Sequence, residues 1–418
     1  MKKLLIRDIA LLAGVHPVGI HVLRGRAMAA LPVIHDAWLL CADGLISDFG
    51  TMDTLPKVDN SDTHTVSAAG GSVFPSWCDS HSHIVFATSR EDEFVMKIKG
   101  KSYEDIAAGG GGILNSAAKL KETSASDLYD TAWQRMQNMI MQGTGALEIK
   151  SGYGLTLESE LKMLRVIKKL KEEAPIPVKA TLLAAHAYPS AFKDDHEGYL
   201  NMIIHDLLPI VHQEGLADYF DVFCEKGFFS VAETDRLLKA AAEYGLKPKI
   251  HANQLSVSGA VEIALQHNAI SVDHLEATDG HVIDSMSNHT TIATLLPSCS
   301  LFLRIPYANA RGLINADIPV ALASDYNPGS SPSGNMNLVV SLACINLRML
   351  PEEAINAATL NGAAAMQLGS EMGSITKGKR ANVFITRPMP SMAFLPYSFG
   401  QSQIATVILN GKVYDGTF

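Results

Sequence analysis

The chain has 418 residues, of which 47% are hydrophobic and 18% charged, and its formal net charge is −9 at pH 7. A chain of this length can bury a large core and divide into two or three domains. The acidic balance gives no electrostatic support for binding nucleic acid or an anionic membrane, although a local arginine can still attract an anionic small molecule. We therefore expect a globular protein, and an anionic small substrate is not excluded.

The cysteines and the N-terminus bear on the compartment. Five cysteines are scattered along the chain without a CxxC pair, which is typical of reduced thiols rather than of a disulfide framework. The opening MKKLLIRDIALLAGV is similar to a signal peptide, but Arg7 and Asp8 interrupt its apolar run. No stretch approaches the roughly 18 apolar residues that a membrane span needs. The sequence thus predicts a cytoplasmic protein without a membrane segment.

Both ends of the chain carry β-hairpin signals. Asp43-Gly44 lies between two short apolar runs near the N-terminus, and Asn410-Gly411 has the same setting near the C-terminus. These pairs accept the positive φ that tight hairpin turns require. Segment 373–387 is typical of a further strand pair. We predict that residues 1–72 and 369–418 fold together as one small β-sandwich domain.

Residues 73–368 alternate short apolar runs with amphipathic helical stretches. Eight apolar runs recur, from GSVFPSWCDSH through GALEIKSG and VKATLLAAHA to IPVALASD. Most are separated by stretches such as TLESELKMLRVIKKLKEE, whose first residue, Thr156, is suited to begin a helix. Strands that alternate with helices in this number predict an α/β fold, a TIM-like (β/α)8 barrel.

Histidine and aspartate side chains recur where the predicted barrel strands end. Because the chemistry of such barrels lies at the carboxyl ends of the strands, we expect these side chains to meet on one face. A single histidine in an apolar run is more often a packed core residue, but independent core placement does not explain five such strand ends. Strands one, three, five, six and eight end at His81 and His83, His186, His251, His274 and Asp325.

The residue types indicate a metal site. Side chains two apart on a strand share a face, so His81 and His83 point to the same side. Neutral imidazoles and a carboxylate are good ligands for Zn²⁺ or iron. Three imidazoles and one carboxylate also leave a position for a water, whose pKa a bound ion lowers to about 7. We predict a Zn²⁺ or iron site held by His81, His83, His251 and Asp325.

This pattern resembles the amidohydrolase superfamily of metal-dependent hydrolases, marked by HxH on strand one, here DSHSH, and an aspartate on strand eight, here ASD. Members with two metals carry a carboxylated lysine at the end of strand four. Here Glu225 and Lys226 stand at that place, and Lys150 belongs to strand two. The resemblance therefore implies a single ion, and Lys150 is expected either near the pocket or paired with an acid.

The residue three positions after the strand-five histidine bears on the reaction. Deaminases of the superfamily usually have a glutamate there, whereas this chain has Gln254. A neutral amide can form hydrogen bonds with a substrate but cannot exchange a proton at pH 7. This counts against a deaminase and leaves the acid–base work to His274 and Asp325.

Longer blocks resemble the imidazolonepropionases, among them HIVFATSREDEF, EIKSGYGLTLESELKMLRVIKKL, DVFCEKGFFS and ASDYNPGSSPS. That family hydrolyses the ring of 4-imidazolone-5-propanoate to N-formimidoyl-L-glutamate, the third step of histidine degradation, using zinc or iron. The resemblance implies a homodimer. Two segments depart from the family pattern, DSHSH in place of DPHTH and the segment FATSR that ends at Arg90. Neither departure removes a ligand. The implied substrate contacts are Arg90, Tyr153, His186, Gln254, Asn327, Gly329 and Ser330.

Several of these residues have an alternative role. Arg90 can pair with the substrate carboxylate through its planar fork, or form an ion pair with an acid among residues 91–93. His186 can polarise the ring carbonyl, hold a ring nitrogen, or be a packed core histidine. The backbone amides and hydroxyls of segment 327–333 can cradle a carboxylate. Tyr103 either donates its hydroxyl to the substrate carboxylate or has only a packing role. The glycine-rich segment 107–116 is either a lid over the pocket or a plain surface loop.

Two other functions remain open from the sequence. Another one-metal amidohydrolase, such as a deaminase acting on a cyclic amidine or purine, would share the ligand set. A non-catalytic barrel that has lost its metal would serve as an assembly protein. The complete ligand set argues against the second alternative, and Gln254 argues against the first.

Overall fold

A computed structural model describes residues 3–59, 61–101, 111–399 and 401–416. The predictions for Tyr103 and for residues 107–110 lie outside these ranges. In chain order the strands are β1 Lys3–Ala13, β2 Val33–Ala42, β3 Leu45–Thr51, β4 Thr63–Ser67, β5 Ser72–Pro75, β6 Trp77–Asp79, β7 Thr144–Lys150, β8 Val178–Ala185, β9 Tyr219–Cys224, β10 Lys247–Ala252, β11 Ser271–His274, β12 Ile292–Leu295, β13 Val320–Leu322, β14 Val383–Thr386, β15 Ile404–Leu409 and β16 Lys412–Tyr414.

The helices of the described residues mostly alternate with the strands of the central region. A π-helical turn, Met202–Leu207, joins the fifth helix to the sixth without a break. The helices are α1 Glu91–Ile98, α2 Ile113–Glu122, α3 Ala125–Met141, α4 Leu157–Glu173, α5 His196–Asn201, α6 Leu208–Glu214, α7 Val231–Glu243, α8 Ala260–Gln266, α9 Gly280–Met286, α10 Pro297–Leu303, α11 Ala310–Asn315, α12 Met336–Ile345, α13 Pro351–Ala358, α14 Leu360–Ala365 and α15 Phe394–Tyr397.

The central region is a parallel barrel. Strands β6 to β13 pair in chain order, and a bridge between Ser82 and Tyr326 joins the segments that follow the first and last of them. There the His83 amide donates to the Tyr326 carbonyl at 2.9 Å, and the Asp325 amide donates to the His81 carbonyl at 3.0 Å. The predicted (β/α)8 barrel is confirmed, and it closes through the segments that carry HxH and ASD.

The barrel strands are buried because they pack on the helices outside and on one another inside. Strands β7 and β9 are buried at every position, as strands covered on both faces should be. Helix α4 begins as the sequence predicts, with the Thr156 hydroxyl accepting from the Ser159 amide at 3.3 Å. Its apolar face, which includes Leu164, Ile167 and Leu170, belongs to the main core.

The chain ends form a second eight-stranded sheet, in the order β16-β15-β14-β5-β1-β2-β3 with β4 also paired to β1, and it has its own apolar core. Both predicted hairpins are confirmed, because Asp43-Gly44 (φ 50° and 83°) and Asn410-Gly411 (φ 48° and 67°) form two-residue turns. The strand pair predicted in 373–387 is wrong. That segment contributes only β14, which pairs with β5 and β15 from elsewhere in the chain.

The two sheets meet at the start of the first barrel strand. Phe384 of β14 lies with its ring centroid 4.9 Å from that of Trp77, the first residue of β6, and the Ser76 amide donates to the Asn382 carbonyl at 3.0 Å. Strand β5 belongs to the small sheet, so we propose that the small domain extends to Pro75 rather than ending at residue 72. Within the described ranges, no helix combines the length and the apolar character that a membrane crossing requires.

Candidate active site

The carboxyl ends of the barrel strands bring the predicted ligands together. His81 Nε2 lies 3.2 Å from His83 Nε2 and 3.4 Å from Asp325 Oδ1. His83 Nε2 lies 3.5 Å from the same oxygen, and the His251 ring centroid is 4.5 Å from that of His81. These four side chains are buried, none more than 4% exposed.

These separations suit one metal ion. Four ligand atoms at about 2.0–2.1 Å from a tetrahedral Zn²⁺ are about 3.3–3.4 Å apart, close to the distances between His81, His83 and Asp325. His81 Nδ1 is paired with Asp273 at 2.6 Å, which leaves its Nε2 lone pair facing the Asp325 carboxylate. Buried acceptors facing one another are unfavourable without a cation between them. The residues present therefore fit the ion that the sequence predicts.

A buried layer below the ligands holds two of the histidines in place. Asp273 Oδ2 lies 2.6 Å from His81 Nδ1, and Asp221 Oδ2 lies 2.9 Å from His251 Nδ1. Carboxylates at this position fix the tautomer of a ligating histidine and direct its other nitrogen to the metal. Lys150 Nζ lies 2.7 Å from Asp221 and 3.4 Å from Asp273. Lys150 is thus paired with acids, as one of the two sequence alternatives predicts.

This layer, which we call the floor, consists of Glu148, Lys150, Asp221, Lys249 and Asp273. All five are fully buried. Glu148 pairs with both lysines, at 2.8 Å from Lys150 Nζ. Burial alone raises the pKa of Asp221 and Asp273, but the neighbouring His251, Lys150 and Lys249 hold both values below the usual range. Burial lowers the pKa of Lys150, but three carboxylates raise it above its usual value. Both aspartates and Lys150 therefore stay charged.

The end of strand four supplies no ligand for a second catalytic ion. The Glu225 carboxylate accepts from the Leu255 amide at 2.9 Å and from the Ser256 amide at 3.3 Å, so it holds the loop after strand five. Lys226 is exposed. The single ion implied by the resemblance stays a prediction.

His274 stands beside the ligand set on the next strand. Its ring centroid lies 5.6 Å from that of His81 and 5.3 Å from that of His251, and its Nδ1 lies 3.4 Å from Glu276 Oε2. Burial lowers the pKa of His274, but the Glu276 carboxylate raises it, and the net shift is upward. His274 and Asp325 have positive φ, 88° and 54°. Such conformations cost about 1–3 kcal/mol each and cluster at functional sites.

A cavity of about 710 Å³ opens directly above these residues. His83, His274 and Asp325 lie among its walls, together with every predicted substrate contact. Gln254 donates through Nε2 to Cys299 Sγ at 3.4 Å, which leaves its carboxamide oxygen as an acceptor. The predicted substrate residues therefore share one cavity with the metal site, although their contacts with substrate remain predictions.

His186 presents one defined nitrogen to this cavity. Its Nδ1 lies 3.0 Å from the Gly152 carbonyl oxygen, which can only accept, so Nδ1 carries the proton. Burial lowers the pKa of His186 to about 3, so the ring is neutral and Nε2 is an acceptor. An acceptor can hold a ring N–H but cannot stabilise a carbonyl oxygen. Of the two predicted catalytic roles, the geometry favours holding a ring nitrogen.

The loop that carries Tyr153 is fixed by Glu160, whose role the sequence analysis missed. The buried Glu160 carboxylate accepts from the amides of Gly152, Gly154 and Leu155 at 3.2, 2.7 and 3.0 Å. The Tyr153 ring then lies 5.5 Å from the His186 ring, centroid to centroid. From the sequence, Glu160 could be recognised only as a residue of the first turn of a helix. Its contacts with the loop before that helix depend on how the loop folds back, which the sequence pattern does not show.

Arg90 is both paired and placed at the cavity. Its Nη2 lies 2.5 Å from Glu93 Oε2, so the alternative ion pair is present, and its side chain is 12% exposed among the cavity walls. A Cβ on Gly329 would lie 2.3 Å from Arg90 Nη1, so a larger residue there would displace this guanidinium. Lys97, which the sequence analysis missed, also lines the cavity and is half-buried.

The loop after strand eight is bound to itself. Asn327 Oδ1 accepts from the amides of Gly329 and Ser330, both at 2.8 Å, so these two amides already have a partner, and a carboxylate cradle in this segment stays a prediction. Asn327 Nδ2 donates to the Asp325 carbonyl at 2.7 Å, and Ser330 Oγ lies 3.2 Å from Asp325 Oδ2. The loop thus orients the predicted ligand Asp325.

The sequence profile of the amidohydrolase family matches residues 72–414. The chain is 53% identical over 410 residues to the imidazolonepropionase of Christiangramia forsetii, covering 98% of this chain and 99% of that protein. This chain belongs to the imidazolonepropionase family. An imidazolonepropionase of Flavobacterium johnsoniae is 52% identical over 409 residues, with 98% and 99% covered.

Solved structures support the fold of this imidazolonepropionase family member independently. Guanine deaminase of E. coli has a TM-score of 0.72 at 14% identity, covering 99% of both chains. Triazine hydrolase from Arthobacter aurescens has a TM-score of 0.74 at 14% identity, covering 99% of this chain and 94% of that one. Identities this low show a shared architecture and nothing about substrate.

The floor was also missed by the sequence analysis, although a signal existed. Glu148, Asp221 and Asp273 each interrupt an apolar run that becomes a buried barrel strand. Charged residues are rarely fully buried unless they are paired. Acids inside such runs therefore indicate buried ion pairs, but the sequence does not say which residues are paired.

Proposed function

We propose that this chain hydrolyses the cyclic amide C–N bond of 4-imidazolone-5-propanoate to give N-formimidoyl-L-glutamate, the third step of histidine degradation. One observation carries the proposal. This chain is similar to imidazolonepropionases over its full length, and its buried imidazoles and carboxylate lie at separations that suit a single ion. His81, His83, His251 and Asp325 would hold that ion, zinc or iron, which would activate water and polarise the amide carbonyl.

Two side chains next to the ligand set are suited to move protons. Asp325 is available to accept a proton from the attacking water, because its contacts with His81 and His83 hold its pKa below the usual range despite burial and so keep the carboxylate ionised. His274 gives a proton to the ring nitrogen as the C–N bond opens, because Glu276 favours its protonated form. Loss of this proton-transfer pair would lower kcat more than it changes KM.

The remaining cavity residues position the substrate. Arg90 and Lys97 are the cations at the side of the cavity near Gly329, and they attract the propanoate carboxylate. His186 Nε2 accepts the ring N–H, and the Gln254 oxygen is a second acceptor. Tyr153, held by the Glu160 loop, closes the wall beside His186. A substrate with one carboxylate and a planar ring fits this division of the cavity.

The test is turnover of 4-imidazolone-5-propanoate by protein loaded with zinc or iron, followed by loss of the imidazolone absorbance. Mass analysis should identify N-formimidoyl-L-glutamate, and His251→Ala should abolish its formation. Ammonia release from a panel of cyclic amidines and purines, without turnover of the imidazolone, would point to a deaminase instead. A protein that binds no metal and is not rescued by added zinc or iron would point to the assembly role.

The finer expectations belong to the same proposal. We propose a cytoplasmic homodimer, a compartment supported by five cysteines that are all free. Light scattering of the purified protein should give a mass near twice the chain mass of 44.9 kDa. Elemental analysis of protein purified without added metal should find about one ion per chain and decide between zinc and iron.

A further inference from the structure

A second group of ligand-type side chains lies next to the proposed catalytic ion site. One ligand atom each from His274, Glu276 and Cys299 lies within 4.8 Å of the other two. The three residues are buried, at 2%, 7% and 0% exposure. The proposed reaction assigns no direct role to Cys299 and uses Glu276 only as the neighbour of His274.

The polar atoms of this group are incompletely paired. Glu276 Oε1 accepts from Ser300 Oγ at 3.0 Å, but Oε2 has no hydrogen-bond partner although the side chain is only 2% exposed. This oxygen lies 3.4 Å from His274 Nδ1. A buried carboxylate oxygen without a partner is costly. An ion between Glu276 and the other two side chains would satisfy it.

The donor set also selects the kind of ion. An imidazole nitrogen, a carboxylate oxygen and a thiolate sulfur suit borderline and soft divalent ions such as Zn²⁺, Co²⁺ or Cd²⁺, whereas Mg²⁺ and Ca²⁺ prefer oxygen ligands alone. Binding would replace the thiol proton of Cys299, which passes to solvent. The ion has a route to the site, because His274 and Gln254, which contacts Cys299, both line the cavity.

We propose that His274, Glu276 and Cys299 form a second site for a zinc-like ion, and that filling this site inhibits the enzyme. Only three protein ligands are available, so the site is weaker than the catalytic one. The inhibition follows from His274: an ion on Nδ1 fixes the tautomer of the ring, and the ring can then no longer exchange protons freely. The inhibitory effect rests on the proposed function, whereas the binding site does not.

The test is a Co²⁺ titration of protein that already holds one Zn²⁺ per chain. Co²⁺ binds nitrogen and sulfur sites more weakly than Zn²⁺, so it should not displace the first ion. The readouts are ions per chain by elemental analysis, the thiolate-to-cobalt charge-transfer absorption, and turnover. Cys299→Ser removes the thiol, and Cys344→Ser, at a half-buried cysteine, is the matched control. Glu276→Gln is the second variant, because an amide is a poorer ligand than a carboxylate.

The wild type and Cys344→Ser should bind a second equivalent, show the thiolate band and lose turnover as the band grows. Cys299→Ser should lose the band, and both it and Glu276→Gln should bind Co²⁺ at least about tenfold more weakly, since even residues that only orient ligands change metal affinity by this factor. No second equivalent, or a second equivalent with no thiolate band, would overturn the site. Binding with the band but with full turnover would overturn the inhibition. If the imidazolone is not turned over at all, the proposed function fails while the band still decides the site.

Discussion

The floor of the site and the mouth of its cavity are built in opposite ways. The five floor residues are fully buried, and each is paired with an opposite charge. At the mouth, Phe94, Ile98 and Leu255 are 45%, 67% and 57% exposed, and they line the cavity together with half-buried Lys97. The predicted ligands are thus held from below by a dense ionic network, whereas the side chains of the mouth are partly exposed to solvent.

This difference separates two properties of the site. Three carboxylates and two lysines leave the floor with one excess negative charge, which attracts a bound cation. Changes in the floor should therefore lower both the metal affinity and the free energy of unfolding, because a buried charge left without its partner is costly. Changes at the mouth should alter substrate affinity alone. The variants below test this separation, beginning with the ligands that rest on the floor.

The largest effect is expected from removing a ligand. His251→Ala should lower kcat/KM at least about 10⁴-fold, because a bound ion stabilises the transition state by several kcal/mol and each 1.4 kcal/mol is a factor of ten. Metal content by elemental analysis should fall with it. His64→Ala, at an exposed histidine of the small domain, is the control and should keep both. A His251→Ala protein with full activity would refute the ligand assignment.

The floor itself is tested by Lys150→Met. This change leaves Asp221, Glu148 and Asp273 with one ammonium group fewer in a fully buried layer. Breaking a buried ion pair costs about 3–5 kcal/mol, so denaturant unfolding of the metal-free protein should show a loss of that size. Lys97→Met at the mouth should change stability by no more than about 1 kcal/mol. Equal losses in the two variants would mean that floor and mouth do not differ as described.

The part of the site that could be predicted from the sequence does not include the floor. The sequence predicted the barrel and the meeting of the proposed ligands, because strand ends in a parallel barrel lie on one face whatever the details of packing. It did not predict the floor, whose contacts join residues far apart in the chain, such as His81 with Asp273, 192 positions away, and Lys150 with Asp221, 71 away. Alternation of apolar runs places each acid in a strand but does not specify its neighbour.

Sequence and structure differ most where a segment has alternative partners for its backbone. The loop after strand eight was expected to offer its amides to a substrate, but the Asn327 side chain accepts from two of them. Asparagine commonly binds backbone groups a few residues along the chain, and the competition between that contact and a ligand cannot be decided from the sequence. The strand pair predicted within 373–387 was wrong for a related reason: the partners of β14 lie elsewhere in the chain.

A smaller effect on metal affinity, accompanied by a loss of stability because Asp273 also pairs with Lys150, is expected from Asp273→Asn. The amide keeps the size of the side chain but loses the charge that pairs with His81 Nδ1 at 2.6 Å. Removing such an orienting carboxylate typically costs 10- to about 100-fold in metal affinity, which competition with a chelator would measure. Asp235→Asn, at a carboxylate paired with Lys239 on the surface, should leave the affinity unchanged. An unchanged affinity in Asp273→Asn would remove Asp273 from the metal site.

The smallest expected effect is at the mouth, and it decides whether the mouth acts on substrate alone. Lys97 lines the cavity, and its Nζ lies 3.5 Å from the Gly329 carbonyl oxygen. A partly exposed charge contributes about 0.2–1 kcal/mol to binding an opposite charge, so Lys97→Met should raise KM by up to about fivefold and leave kcat and metal content unchanged. Added salt should narrow the gap in KM between the variant and the wild type, because it screens the attraction. Lys99→Met, two positions along and exposed, is the matched control and should leave KM as it is. A fall in kcat instead of a rise in KM would place Lys97 in the chemistry, and the separation between mouth and floor would then be wrong.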